Sequence, residues 1–235
     1  MKIHCIWEHN GNDTLLYAAE LPGAYARGHS PEVALAKMEA EVRSYRNWAG
    51  LPMPETFGIS VAEEVPSALN IADADSDVLF ETEKAPLTEA EYTRLKALAL
   101  KSAADFHRLY EAIPDKNRSA SPARATFYGQ VPRTAEEMYV HTRSVNAYYF
   151  GEIDVDADNE GTIWACRTRG FAALEQQPDF LQNSVIEGSY GEQWSLRKVL
   201  RRFIWHDRIH AKAMYRMALR EFGPNAVPNI FCFEV

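Results

Sequence analysis

The sequence predicts an α+β fold: a small β-β-β-α-β domain over residues 1–66, a connecting stretch over 67–87, and an antiparallel four-helix bundle over 88–235. Three observations predict it. Short runs rich in β-formers, punctuated by turn residues, fill the first part. One strongly capped helix interrupts them. From Thr88 onward the apolar residues recur at steps of three and four, the period of helices with one face in a core.

Residues 2–8 and 14–20 read as strands, and Asn10-Gly11-Asn12-Asp13 between them is a run of turn formers that predicts a hairpin. Leu21-Pro22-Gly23 ends the second strand, and residues 24–28 form a short third. Ser30-Pro31-Glu32 then starts a helix: serine caps free amides, proline fits the first turn and the carboxylate complements the dipole. Its apolar residues Val33, Leu35, Met38, Val42, Tyr45 and Trp48 fall close to one face. Gly50 and Pro52-Met53-Pro54 stop it, and residues 56–61 return as a strand. In the connecting stretch, Val78-Leu79-Phe80 suggests one more short strand. Asp73 to Asp77 resembles a calcium loop, but Val78 and Lys84 stand where that loop needs glycine and glutamate. The run Asp154 to Asp158 fails the same test, so both are read as solvated acidic turns.

Four helices follow. Thr88 with Glu91 forms a capping box, Leu87 can staple onto Tyr92, and Leu95, Ala99, Ser102, Phe106 and Leu109 make the inward stripe. After a long loop over 113–133, Thr134 and Glu137 open a second helix that ends near Tyr149 or Phe150. A third is expected over 159–177, stopped by Pro178. The fourth runs over 195–222 and ends at Gly223-Pro224. Helices of this size joined by loops fit a bundle with its functional groups inside.

Composition narrows the function classes. The chain has 235 residues, 46% of them hydrophobic, and a net charge of −8, which argues against a large nucleic-acid footprint. Arg197-Lys198 with Arg201-Arg202 is a local basic patch. No uninterrupted apolar run is long enough for a membrane helix. The first residues lack the apolar core of a signal peptide. Cys5, Cys166 and Cys232 are scattered and odd in number, which suits reduced thiols and a cytoplasmic setting rather than a disulfide framework.

The chemistry sits on histidines. On the fourth helix the inward stripe reads Leu196, Val199, Phe203, His206, His210, Met214, Met217. On the second it reads Met138, His141, Val145, Tyr148. Imidazoles at i and i+4 lie one above the other and can share one ion, and a third from a facing helix would complete three ligands. Three neutral imidazoles suit zinc, nickel or iron(II) and leave positions open for water or substrate. His107 flanks its stripe and is expected at the surface, while His4, His9 and His29 have no ligand spacing. Asp207 points off the stripe, toward a surface or supporting role. Tyr148 and Tyr149 read as core or interface residues.

The set Met138-Tyr139-Val140-His141 together with His206-Asp207-Arg208-Ile209-His210 resembles the DinB-like superfamily, over residues 88–222. The resemblance implies a four-helix bundle, commonly dimeric, with His141, His206 and His210 as metal ligands. It further implies a transferase, isomerase or hydrolase working with a low-molecular-weight thiol on a small-molecule substrate. A glutamine frequent in that family three residues after the last histidine is Ala213 here, which leaves the three ligands and changes their surroundings. Leu21-Pro22-Gly23, Ala26-Arg27-Gly28 and Ser30 with Val33-Ala34-Leu35 resemble a HicB-type domain, which implies a β-β-β-α-β unit. Two function classes remain open: a metal-dependent transferase or hydrolase, and a non-catalytic sensor or protein-binding module whose metal is structural or absent.

Overall fold

The computed structural model describes residues 1–126 and 129–234; two residues of the loop expected over 113–133, and the last residue of the chain, lie outside these. The N-terminal part is a four-stranded sheet of β1 (Lys2–Asn10), β2 (Asp13–Ala18), β3 (Tyr25–Gly28) and, after helix α1 (Pro31–Ala49), β4 (Gly58–Pro66). The order is β3-β2-β1-β4, antiparallel except for the parallel pair β1 and β4. The expected capping of α1 holds: the Ser30 side chain accepts from the Val33 amide, and Gly50 closes the helix in the left-handed conformation. The returning strand starts later and runs further than residues 56–61, because β4 stays paired with β1 out to Pro66.

Both faces of the sheet are covered. Ile3, Cys5, Leu16, Ala18 and Ala26 pack in one cluster with Met38, Val42 and Tyr45 of α1. Ile6, Leu15, Tyr17 and Tyr25 pack with Ile71, Val78, Phe80 and Trp205. The stretch over 67–87 is therefore a packed strap across the sheet rather than a loose connection. Residues 78–80 form no strand. Val78 O accepts instead from Arg201, in the last helix of the chain, and Glu83 in the next turn pairs with the same guanidinium.

Helices α2 (Glu89–Ala112), α3 (Ala135–Gly151), α4 (Ile163–Leu174) and α5 (Leu196–Phe222) make up the rest, with α2 and α3 each packed against both α4 and α5. Capping boxes at Thr88/Glu91 and Thr134/Glu137 are present as expected. The third helix is shorter than residues 159–177 because Thr162 caps it, accepting from Ala165 N–H, and Glu175 ends it.

α5 is the shared element. From Lys198 to Arg208 every residue is buried, since one side meets α2 and α3 and the other meets the strap and the sheet. Lys198, Arg201 and Arg202 of the expected basic patch are consequently interior, and Arg197 is half-buried. Arg201 pairs with Glu83, Arg202 with Glu192, and Arg208 with Glu41 of α1, while Lys198 donates to Asp77 O (2.5 Å) and Gln193 O (2.7 Å). Charges this deep persist only when paired and hydrogen-bonded.

The turn before β3 sets how closely sheet and helix approach. Gly23 has φ +90°, and a Cβ there would lie 2.5 Å from Ile204 Cγ2 and 2.8 Å from the Trp205 amide nitrogen. Gly23→Ala should therefore cost about 1–3 kcal/mol, through both left-handed strain and overpacking. Urea unfolding measures it, and an unchanged midpoint would mean the turn does not bear on α5.

Candidate metal centre

Ser195 fixes where α5 begins, its side chain accepting from Lys198 N–H. Along it, Phe203, His206 and His210 follow at three- and four-residue steps and so share a face. Tyr149 of α3 meets Phe203 at 5.4 Å between ring centroids, and His141 meets His206 and His210, so α3 and α5 run in opposite directions. This places three imidazoles together. Their centroids are 4.5 Å (His206–His210), 4.7 Å (His141–His210) and 5.1 Å (His141–His206) apart. One ring nitrogen of each lies within 4.8 Å of the other two. Metal–nitrogen bonds of about 2.0–2.1 Å put ligand nitrogens roughly 3–4 Å apart, a change small side-chain rotations can supply.

The surroundings favour neutral rings with free lone pairs. Burial holds His141 below the ordinary imidazole value. Burial, then the neighbouring His210 and His141, push His206 well below it. Burial with His141 and Arg27 takes His210 down to about 3. His206 Nδ1 is buried with no hydrogen-bond partner. A dry, unbonded imidazole nitrogen is costly, and a bound ion is one way to satisfy it. Three neutral nitrogen donors, one of them orphaned, therefore fit zinc, nickel or iron(II).

Access comes from α3. Its buried face is Ala135, Met138, Tyr139, Thr142, Asn146, Tyr149 and Phe150, not the stripe ending in Tyr148, which is 39% exposed. His141 sits at the margin of that face and is half-buried, as is His210, whereas His206 is buried. Tyr149 lies edge-on to His206 at 6.0 Å, and the Arg202 guanidinium lies over the Tyr149 ring at 5.7 Å. Ala213, half-buried, packs against the core.

Asp207 departs from the surface alternative. It is fully buried and takes a bidentate pair from Arg167, Nη1 to Oδ2 at 2.6 Å and Nη2 to Oδ1 at 3.0 Å. The pair ties α5 to α4 one residue from His206. His107 is half-buried rather than at the surface, its ring beside the stacked pair Tyr110 and Tyr139. His4 pairs with Glu20 and His9 with Glu64, away from the cluster. Among the described residues the three histidines are the one group placed to share an ion. Asp73 and Asp158 pair with Arg124 and Arg169 as acidic turns do. The cysteines are free. Tyr149 is the buried core aromatic expected of the Tyr148-Tyr149 pair and lies beside the cluster. Sequence reasoning missed Arg202 and Arg27: Arg202 stands four residues before His206 on α5, a helical spacing that could have found it, whereas Arg27 comes from β3 and carries no such signal.

No family model, characterised protein or solved structure matches this chain. The case for the site is thus its geometry. Among the described residues no helix is long and apolar enough to cross a membrane.

Proposed function

We propose that this chain is a metal-dependent enzyme of the DinB-like kind, with α2 to α5 as an antiparallel four-helix bundle and residues 1–66 as a HicB-like domain. His141, His206 and His210 hold one divalent ion, zinc, nickel or iron(II). The observation that carries this reading is the convergence of three neutral imidazoles from two helices within 4.8 Å. Bound there, the ion supplies Lewis-acid activation of a water or a low-molecular-weight thiol as nucleophile. The chain's own residues do the rest. The three histidines fix the ion while leaving positions free, because they supply only three donors. Tyr149 packs edge-on against His206 and restrains that ring. The half-buried margin at His141 and His210 admits a small-molecule substrate. The reaction is a transfer or hydrolysis, carried out in the cytoplasm by a homodimer.

Elemental analysis of tag-free protein purified without chelator tests the metal. About one equivalent per chain is expected, falling at least about tenfold in His206→Ala and in the less buried His141→Gln. Wild-type protein retaining under about one-tenth equivalent sinks the reading.

A further inference from the structure

A second feature lies where β3, α1 and α5 meet. It is a cleft of about 610 Å³, lined by residues of these elements and of the strap, and none of the three clustered histidines lines it. That volume is within the range of small-ligand sites, roughly 300–1,000 Å³. Each of the three elements brings cations to it: Arg27 from β3, Lys37 from α1, Lys212 and Arg216 from α5. In a chain of net charge −8 such a gathering opposes the overall field.

Two of the four, Arg27 and Arg216, have no strong protein partner among the described residues. On α5, Arg197, Arg201, Arg202, Arg208 and Arg220 all donate to protein acceptors. Arg216 makes no hydrogen bond among the described residues and is exposed at the cleft. Arg27 has one long contact, Nη1 to Ala72 O at 3.4 Å, and its carbonyl receives Lys37 Nζ at 2.8 Å. Three carboxylates also line the cleft, Asp13, Glu41 and Glu234. Glu41 is already engaged, accepting from buried Arg208 at 2.6 Å with Lys212 at 3.6 Å. Asp13 and Glu234 form no ion pair with the cleft cations. Counting Arg208 behind Glu41, the cleft carries surplus positive charge. The buried Tyr25 lines it too, and its hydroxyl has no partner among the described residues.

We propose that this cleft is a binding site for a metabolite-sized oxyanion, a compound bearing a phosphate or carboxylate group, held by the Arg27 and Arg216 guanidiniums. Guanidinium forks match planar or tetrahedral oxyanions through paired N–H donors. Tyr25 adds a neutral donor, and Lys37 and Lys212 add charge around it. The site shares no lining residue with the three histidines, although Arg27 also bears on His210, and its anion binding requires no metal.

Calorimetric titration of the full chain with inorganic phosphate, and separately with succinate, at fixed ionic strength tests this. Chelator-treated and zinc-loaded protein are run in parallel. Saturable one-to-one binding of at least one anion is expected, equal in the two preparations. Tighter phosphate identifies a phosphate ligand, and tighter succinate a carboxylate. Arg216→Ala, an exposed substitution, should weaken binding at least about tenfold, with Arg216→Lys between the two. Arg27→Ala should act in the same direction. Binding that fails to saturate below about 10 mM, that survives both alanine variants, or that appears only with zinc overturns the proposal.

Discussion

Asp207→Ala should lower the unfolding free energy by about 3–5 kcal/mol, among the largest losses of any single side chain here. Asp207 and Arg167 have fully buried side chains. Burial raises the Asp207 carboxyl above its ordinary value even though Arg167 acts in the opposite direction. Attraction within the pair therefore does not fully offset its desolvation, and the intact pair adds little net stability. Removal of one partner is another matter. Alanine at 207 leaves the Arg167 guanidinium buried with the Ala99 carbonyl at 3.1 Å and the face of Phe203 at 4.2 Å, both weak substitutes for a carboxylate. Arg167→Met combined with Asp207→Leu removes both charges and should recover most of the loss. Urea unfolding followed by tryptophan fluorescence gives both numbers. A single-variant loss under about 1 kcal/mol, or a double variant no better than the single, would contradict the buried pair.

That pair also marks where reading the sequence stops. His206 and His210 are legible because they replace apolar residues at regular steps on α5, and all of Leu196, Val199, Phe203, Met214 and Met217 are indeed buried. The caps at Ser30, Thr88, Thr134 and Ser195 are legible because each is a local hydrogen bond between near neighbours. α5 being buried on both sides is not. Arg201 and Arg202 read as a local basic patch and Asp207 as a surface or supporting residue, since the partners Glu83, Glu192 and Arg167 come from elements that sequence spacing cannot pair, as does Glu41, the partner of Arg208. The packed strap hides for the same reason. Ile71 and the short run Val78-Leu79-Phe80 are too brief to show a period, and only the otherwise uncovered face of the sheet gives Ile71, Val78 and Phe80 a place. Periodicity reports one buried face per element, so a helix shared by two layers exceeds what it can express.

Acidification should separate the histidine cluster from ordinary surface histidines. Unfolded histidines titrate near 6.5. In the fold, His210 is pushed down to about 3 and His206 lies well below its ordinary value, burial being the first cause in each. Between these limits the unfolded chain binds a proton at each residue and the folded chain does not. Stability of the metal-free protein is therefore full above about pH 6.5 and falls with pH, by about 1.4 kcal/mol per unit for each of the two. Between pH 7 and 5.5 the loss should reach about 2.5 kcal/mol, in a range above most carboxylate titration. His210→Gln should remove about half of it. The same neutrality governs metal affinity. With His206 well below its ordinary value and His210 at about 3, only His141 can make an incoming ion compete with protons, so the zinc Kd should rise by no more than about tenfold from pH 7 to 5.5, whereas three histidines titrating near 6.5 would lose about tenfold per ligand at pH 5.5. Competition titration with a chromophoric chelator at both pH values decides between them, and a Kd rising by more than about a hundredfold would falsify the buried, neutral cluster.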